Sequence, residues 1–157
     1  MVAAIAFVIR LVPVVRGGGL FGIGNYDDGV YYAAATGLVH GLLPYEDFLL
    51  LHPPGMPLLL TPFALLAQLT GDAYGFATAR VAWMLLGALN AVLIWKILKP
   101  VGLAAGLFGG LSYAVFYPAV YSEKSTLLEG PATTALLIAI LLLQPLLNSD
   151  SLARWRI

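Results

Sequence analysis

The sequence predicts an all-α, polytopic membrane protein, and three observations carry that expectation. Of its 157 residues, 61% are hydrophobic and only 10% charged. The mean hydropathy is +0.90, and the apolar share exceeds the roughly half found in ordinary soluble domains. The apolar residues gather into five stretches, most of them near the roughly 20 residues that cross a bilayer's hydrocarbon core. Residues 17–52 form the only sizeable piece between stretches, so the chain reads as one membrane module over residues 1–157.

Taken in order, the first stretch is Met1 to Val15, with Arg10 in its middle. It has neither the basic start nor the small-residue cleavage site of a removable signal, and reads as the last part of a membrane helix. After Arg16 and a flexible Gly17-Gly18-Gly19 comes the polar, aromatic loop to His52. The second stretch is Pro53 to Thr70. Its Pro53 and Pro54 suit a first turn, and Pro57 and Pro62 are expected to kink it. The third, Arg80 to Leu98, is edged by Trp83 and Trp95, whose indoles suit the two membrane interfaces. In the fourth, Val101 to Tyr121, Gly102, Gly106 and Gly110 stand four apart and invite a close helix neighbour. The fifth, Leu127 to Leu147, is followed by a polar tail. No internal repeat or low-complexity tract interrupts this order.

From Gly17 to Ala79 there is no Lys or Arg, while Asp27, Asp28, Glu46, Asp47 and Asp72 fall inside that window. Loops free of basic residues favour the extracytoplasmic side. Strict alternation of five spans, however, puts Lys96, Lys99, Arg154 and Arg156 on the same side as that loop. One stretch is therefore expected to be re-entrant or broken into half-helices, and the glycine-rich Val101 to Tyr121 is the candidate. The location expected is integral to a plasma (inner) membrane, multi-pass.

A net charge of zero advertises no nucleic-acid face, and the absence of cysteine excludes disulfides, thiolate metal sites and a cysteine nucleophile. Chemistry concentrates in the first loop. Asp27 and Asp28 precede "GVYYAAATGLVHG", which reads as a short interfacial helix ending at Gly37 or Gly41. Carboxylates at a helix start are stabilised as anions by free N–H groups and the macrodipole. The pair serves as plain capping, or else needs water, a divalent cation or a distant base to relieve its repulsion. Mg²⁺ or Mn²⁺ is the hard cation such oxygens prefer. His52, beside Pro53-Pro54, is held at the mouth of a membrane helix, where its ring can meet a headgroup phosphate or serve a purely structural role. His40 reads as a surface residue. No Ser-His-Asp set, P-loop or metal-spacing His pair is present.

Taken together, Arg10 in the first helix, "YDDGVYYAAATGLVHGLLPYEDF", "HPPGMPLLLTPFALL" and Arg80 opening the next helix resemble the GT-C membrane glycosyltransferases. Within these the chain looks most like the group of dolichyl-phosphate-mannose protein mannosyltransferases and aminoarabinose transferases. The resemblance spans residues 5 to 145, with its specific part at 26 to 57. It implies transfer of a sugar, with inversion, from a polyprenyl-phosphate-linked donor to an acceptor at the first extracytoplasmic loop. Asp27 then matches the catalytic carboxylate, with Asp28 its catalytic neighbour or a cation ligand. His52 matches the basic position that meets the lipid phosphate, and Tyr45 of the G-x-x-P-Y run joins it in the substrate-binding set. Glu46 and Asp47 lie where relatives carry a further acid and complete, with Asp28, a divalent metal set. Lys124 and Glu129, in "YSEKSTLLEGP", are pocket candidates; snorkelling to the interface is the alternative for such residues. Relatives are much longer, so the resemblance implies an N-terminal portion, working with further helices or a longer membrane partner. The alternatives to catalysis are a membrane subunit that binds a lipid phosphate or stabilises a larger enzyme, and a transporter fragment.

Overall fold

The computed structural model describes residues 1–148, which form seven helices and no strand. They are α1 (Val2–Arg16), α2 (Tyr26–Val39), α3 (Gly55–Thr70), α4 (Asp72–Leu98), α5 (Leu103–Val115), α6 (Tyr117–Glu123) and α7 (Glu129–Asn148). The expected all-α class is thus what the chain adopts. Arg154 and Arg156, which entered the orientation argument, lie outside the described residues.

The long α4 organises the rest, packing against α1, α3, α5, α6 and α7. It has 27 residues, which at about 1.5 Å per residue make it about 40 Å long. Among the described residues it is the one helix that by itself is long and apolar enough to cross a membrane. It begins at Asp72, eight residues before the expected start at Arg80. Gly71 is the reason: its φ of 91° is open to a residue without Cβ, and it turns the chain from α3 into α4 in a single step. That earlier start moves Trp83 away from the membrane edge expected for it. Its ring is buried against Phe63, and its indole N–H donates to the Leu127 carbonyl at 2.9 Å. Trp95 is half-buried, with the Lys99 ammonium 5.4 Å from its ring centre.

Two apolar clusters hold the helices to α4. One gathers Tyr31, Met56, Leu60, Trp83 and Leu127, so that α2 and α3 close over the first half of α4. The other gathers Val2, Ala6, Ala88, Ala91 and Ala114 from α1, α4 and α5. Small residues on both sides of this second seam bring the backbones together. A Cβ added at Gly106 would lie 2.9 Å from the Trp95 carbonyl, and one at Gly110 would lie 3.0 Å from that of Ala91. Two of the three spaced glycines therefore do what their spacing predicted, while Gly102 caps the start of α5.

The fourth apolar stretch is broken, as its composition led us to expect. α5 and α6 meet at Phe116 with a bend of 60°, and the pair passes as one membrane span only if taken together. Pro118 accounts for the break, because it has no N–H to give the Ala114 carbonyl and its ring collides with that turn. The carbonyl so released accepts from the Arg10 guanidinium instead, at 3.3 Å. In α3 the double proline sits slightly earlier than expected, with Pro54 at the N-cap and Pro53 before it, while Pro62 lies inside the helix.

A bulky side chain at the α4–α5 seam should force these helices apart. Gly110→Leu is expected to cost about 1–3 kcal/mol through overpacking, read as a lower melting temperature in detergent, with Gly55→Ala, where a Cβ meets open space, as the milder comparison.

Candidate functional site

The site is built from the N-terminus of α2. Asn25 caps that helix, its Oδ1 accepting from the Asp28 amide at 2.9 Å. Asp27 and Asp28 follow in the first turn, where each successive residue turns about 100° around the axis. Neighbouring carboxylates are thereby sent to different environments.

Asp28 goes inward and is fully buried. Its Oδ2 pairs with the Arg80 guanidinium and accepts from the Gly24 amide at 3.1 Å. Its Oδ1 accepts from both the amide and the hydroxyl of Thr126, at 2.8 and 2.5 Å. Arg80 also donates to the carbonyls of Gly19 and Leu20 and lies over the Phe76 ring. Together these partners offset most of the cost of burying the charge, and leave the Arg80 Nε without a hydrogen bond among the described residues. Gly24 is obligatory beside it, since a Cβ there would come within 2.7 Å of the guanidinium.

Asp27 goes outward. It is exposed and has no hydrogen-bond or ion-pair partner among the described residues. One turn along, on the same face, is Tyr31, which is buried. The His52 ring stands edge-on to Tyr31 at 5.5 Å between centroids. Burial pushes the Tyr31 phenol above its ordinary value near 10, and the negative charges of Asp27 and Glu129 push it the same way. His52, edge-on to it, and Asp27, one turn before it on α2, both singled out from sequence, therefore lie next to a tyrosine that was not. The four-residue spacing from Asp27 to Tyr31 was the available signal.

The other expected residues are placed differently. Tyr45 adopts a φ of 71°, and its hydroxyl donates to the His52 carbonyl at 2.6 Å. It closes the loop that delivers His52. Asp47 accepts from the Leu43 amide at 2.7 Å and so closes the turn after α2, where Glu46 is exposed. The expected metal set of Asp28, Glu46 and Asp47 is not assembled. Asp28 spends its oxygens on Arg80, Gly24 and Thr126, and no group of three or more His, Asp or Glu side chains converges among the described residues. Lys124 lines a polar cavity of about 210 Å³ with Arg80, Tyr121 and Ser125, a lining that includes none of Asp27, Tyr31, His52 and Glu129.

A second buried network was not read from the sequence. Arg10, fully buried, gives Glu123 Oε2 two hydrogen bonds, of 2.9 and 2.5 Å. Glu123 Oε1 accepts from Asn90 and from the Tyr113 hydroxyl, each at 2.7 Å, and Asn90 in turn accepts from Thr134 at 2.7 Å. One polar knot thus ties α1, α4, α5, α6 and α7. The signal was Arg10 in one apolar stretch and Glu123 just past another, an acid and a base that apolar surroundings force to pair.

Comparison with protein-family models, with curated proteins and with solved structures finds no match to this chain.

Two outcomes check the division of labour between the carboxylates. Asp28→Asn should cost about 3–5 kcal/mol, the scale for stripping one partner from a buried ion pair, whereas Asp27→Asn should leave the melting temperature within a degree or two. The raised Tyr31 titration means that the folded chain holds the phenolic proton more tightly than the unfolded chain. Its contribution is complete below the ordinary value near 10 and is lost as pH rises through the folded one. Tyr31→Phe should therefore flatten the fall in stability above about pH 10, followed by circular dichroism melts.

Proposed function

We propose that this chain is the catalytic-loop module of a membrane glycosyltransferase of the GT-C kind, acting on a polyprenyl-phosphate-linked sugar on the extracytoplasmic side. The observation that carries the reading is the division at the start of α2: Asp28 is consumed by Arg80 and Thr126, while Asp27 stands free one turn before Tyr31, whose ring meets that of His52. A general base must be unpaired and reachable by the hydroxyl it serves. A leaving phosphate needs a donor group close by.

In this mechanism Asp27 takes the proton of an acceptor hydroxyl as its oxygen attacks the anomeric carbon. The bond from that carbon to the phosphate oxygen breaks on the opposite face, which inverts the configuration. The polyprenyl phosphate leaves with the bonding electron pair, and the His52 imidazole donates a hydrogen bond to it. Glu129 helps to bind the polar substrate. Lys124, in the cavity it shares with Arg80 and Ser125, offers a further cation to an anionic group. On the other face of α2, an apolar cavity of about 450 Å³ between Phe21, Ile23, Tyr32 and Phe76 is of a size to accept isoprenoid carbon. The divalent cation considered from sequence has no assembled ligand set, so no step passes through it.

The same reading makes the chain polytopic in the inner membrane. α4 and the bent α5–α6 pair supply the longer spans, and α1, α3 and α7 supply shorter apolar ones.

In the full enzyme reconstituted in proteoliposomes with a polyprenyl-phosphate sugar, Asp27→Asn should lower transfer by about 100- to 10,000-fold, the weight of a general base. Expression and melting temperature should not change. Retained transfer would remove the base assignment; retained binding of polyprenyl phosphate without any transfer by the wild type would assign the chain to a lipid-phosphate-binding subunit.

A further inference from the structure

The two buried ion pairs are joined by a very short piece of chain. Glu123, the last residue of α6, is held by Arg10, Asn90 and Tyr113. Three residues later Thr126, itself fully buried, grips Asp28 with its amide and its hydroxyl on one carboxylate oxygen. The next residue, Leu127, accepts the indole N–H of Trp83 on its carbonyl. Both ion pairs are also roofed by a glycine. A Cβ at Gly87 would overlap the Arg10 Nε and Glu123 Oε2, and one at Gly24 would crowd Arg80, Asp28 and Ser125. The segment from Glu123 to Leu127 is therefore fixed at each end by polar contacts that apolar surroundings make costly to break.

The consequence falls on α2. That helix starts from a loop, and at its first turn three elements outside it hold Asp28: α4 through Arg80, the preceding loop through Gly24, and the α6–α7 connection through Thr126. Asp27 is the adjacent residue, so its direction follows from how Asp28 is seated. We propose that residues 123–126 are a positioning strap, in which Thr126 seats Asp28, and Arg10, Asn90 and Tyr113 anchor Glu123, so that the α6–α7 connection aims Asp27 at its substrate. Thr126 and Glu123 are positioning residues in this scheme and touch no reacting atom. The strap's geometry is independent of the transferase reading; only its purpose for Asp27 rests on it.

The chain contains no cysteine, so a pair of introduced thiols gives an unambiguous distance. Spin labels at Tyr26→Cys on α2 and Leu85→Cys on α4, both exposed positions, report where the start of α2 sits. Thr126→Val, which removes the hydroxyl at constant shape, should broaden and shift that distance distribution, and Thr126→Ser should restore it. Thr61→Val, which removes a hydroxyl that donates to the Pro57 carbonyl within α3 and belongs to neither network, should leave it unchanged. Should Thr126→Val fail to fold, Glu123→Gln loosens the strap from its far end and should broaden the same distribution. A distribution unmoved by Thr126→Val, or moved as much by Thr61→Val, or not restored by Thr126→Ser, overturns the strap. In the reconstituted enzyme, Thr126→Val should lower kcat by about 100-fold, the scale of a small misplacement of a reacting group, with KM within about twofold and activity restored by Thr126→Ser. Distances that respond while the wild type transfers no sugar support the strap and remove the transferase reading.

Discussion

The Asp28–Arg80 ion pair is the interaction on which the rest of this molecule depends. Both groups are buried, and a charge so placed is tolerable only when partners from the surrounding chain offset its lost hydration. The loop after α1 therefore bends to bring the Gly19 and Leu20 carbonyls to the guanidinium. The α6–α7 connection must present Thr126 to the carboxylate. Because Arg80 belongs to the central helix, the start of α2 is referred to the most rigid element of the bundle, and not to the loop that precedes it.

The Arg10–Glu123 pair obeys the same constraint at a different place. Pro118 breaks the α5–α6 stretch and leaves the Ala114 carbonyl without its helical donor. Arg10 supplies a donor there and an ion pair to Glu123 one turn of α6 beyond. A proline that would be a defect in an isolated apolar helix is thereby absorbed into a network spanning five helices. Polar cost in one element is offset by polar groups from others, which is how broken helices persist in apolar surroundings.

These two knots explain how a surface carboxylate can be both flexible in chemistry and fixed in place. Asp27 carries no bond of its own among the described residues, yet its backbone is clamped by the neighbour that does. Around it, Tyr31 contributes a buried ring, and His52 arrives on a loop closed by Tyr45. The arrangement separates the residue that bears structural charge from the residue left without a partner among the described residues. In the sequence both aspartates were catalytic candidates, and only the resemblance set Asp27 as the base and Asp28 as its neighbour or a cation ligand.

Much of the fold was legible because it rests on local physics. Apolar stretches, glycines four apart and acids at a helix start each act within a few residues of themselves, while the turn at Gly71 and the break at Pro118 emerged only in the folded chain. The sequence by itself determined that the chain is helical and apolar enough for a membrane, and it marked Val101 to Tyr121 as the stretch expected to be re-entrant or broken. Tertiary structure alone decided which aspartate is spent and which is free, since that depends on Arg80, 52 residues away, and Thr126, 98 residues away. It also moved Trp83 from an edge into the core, joined Arg10 to Glu123, and left Glu46 and Asp47 in a turn without a metal set. Each of those outcomes turns on whether a polar group finds a partner inside an apolar bundle, and partners distant in sequence are set by how helices pack, which no local pattern encodes.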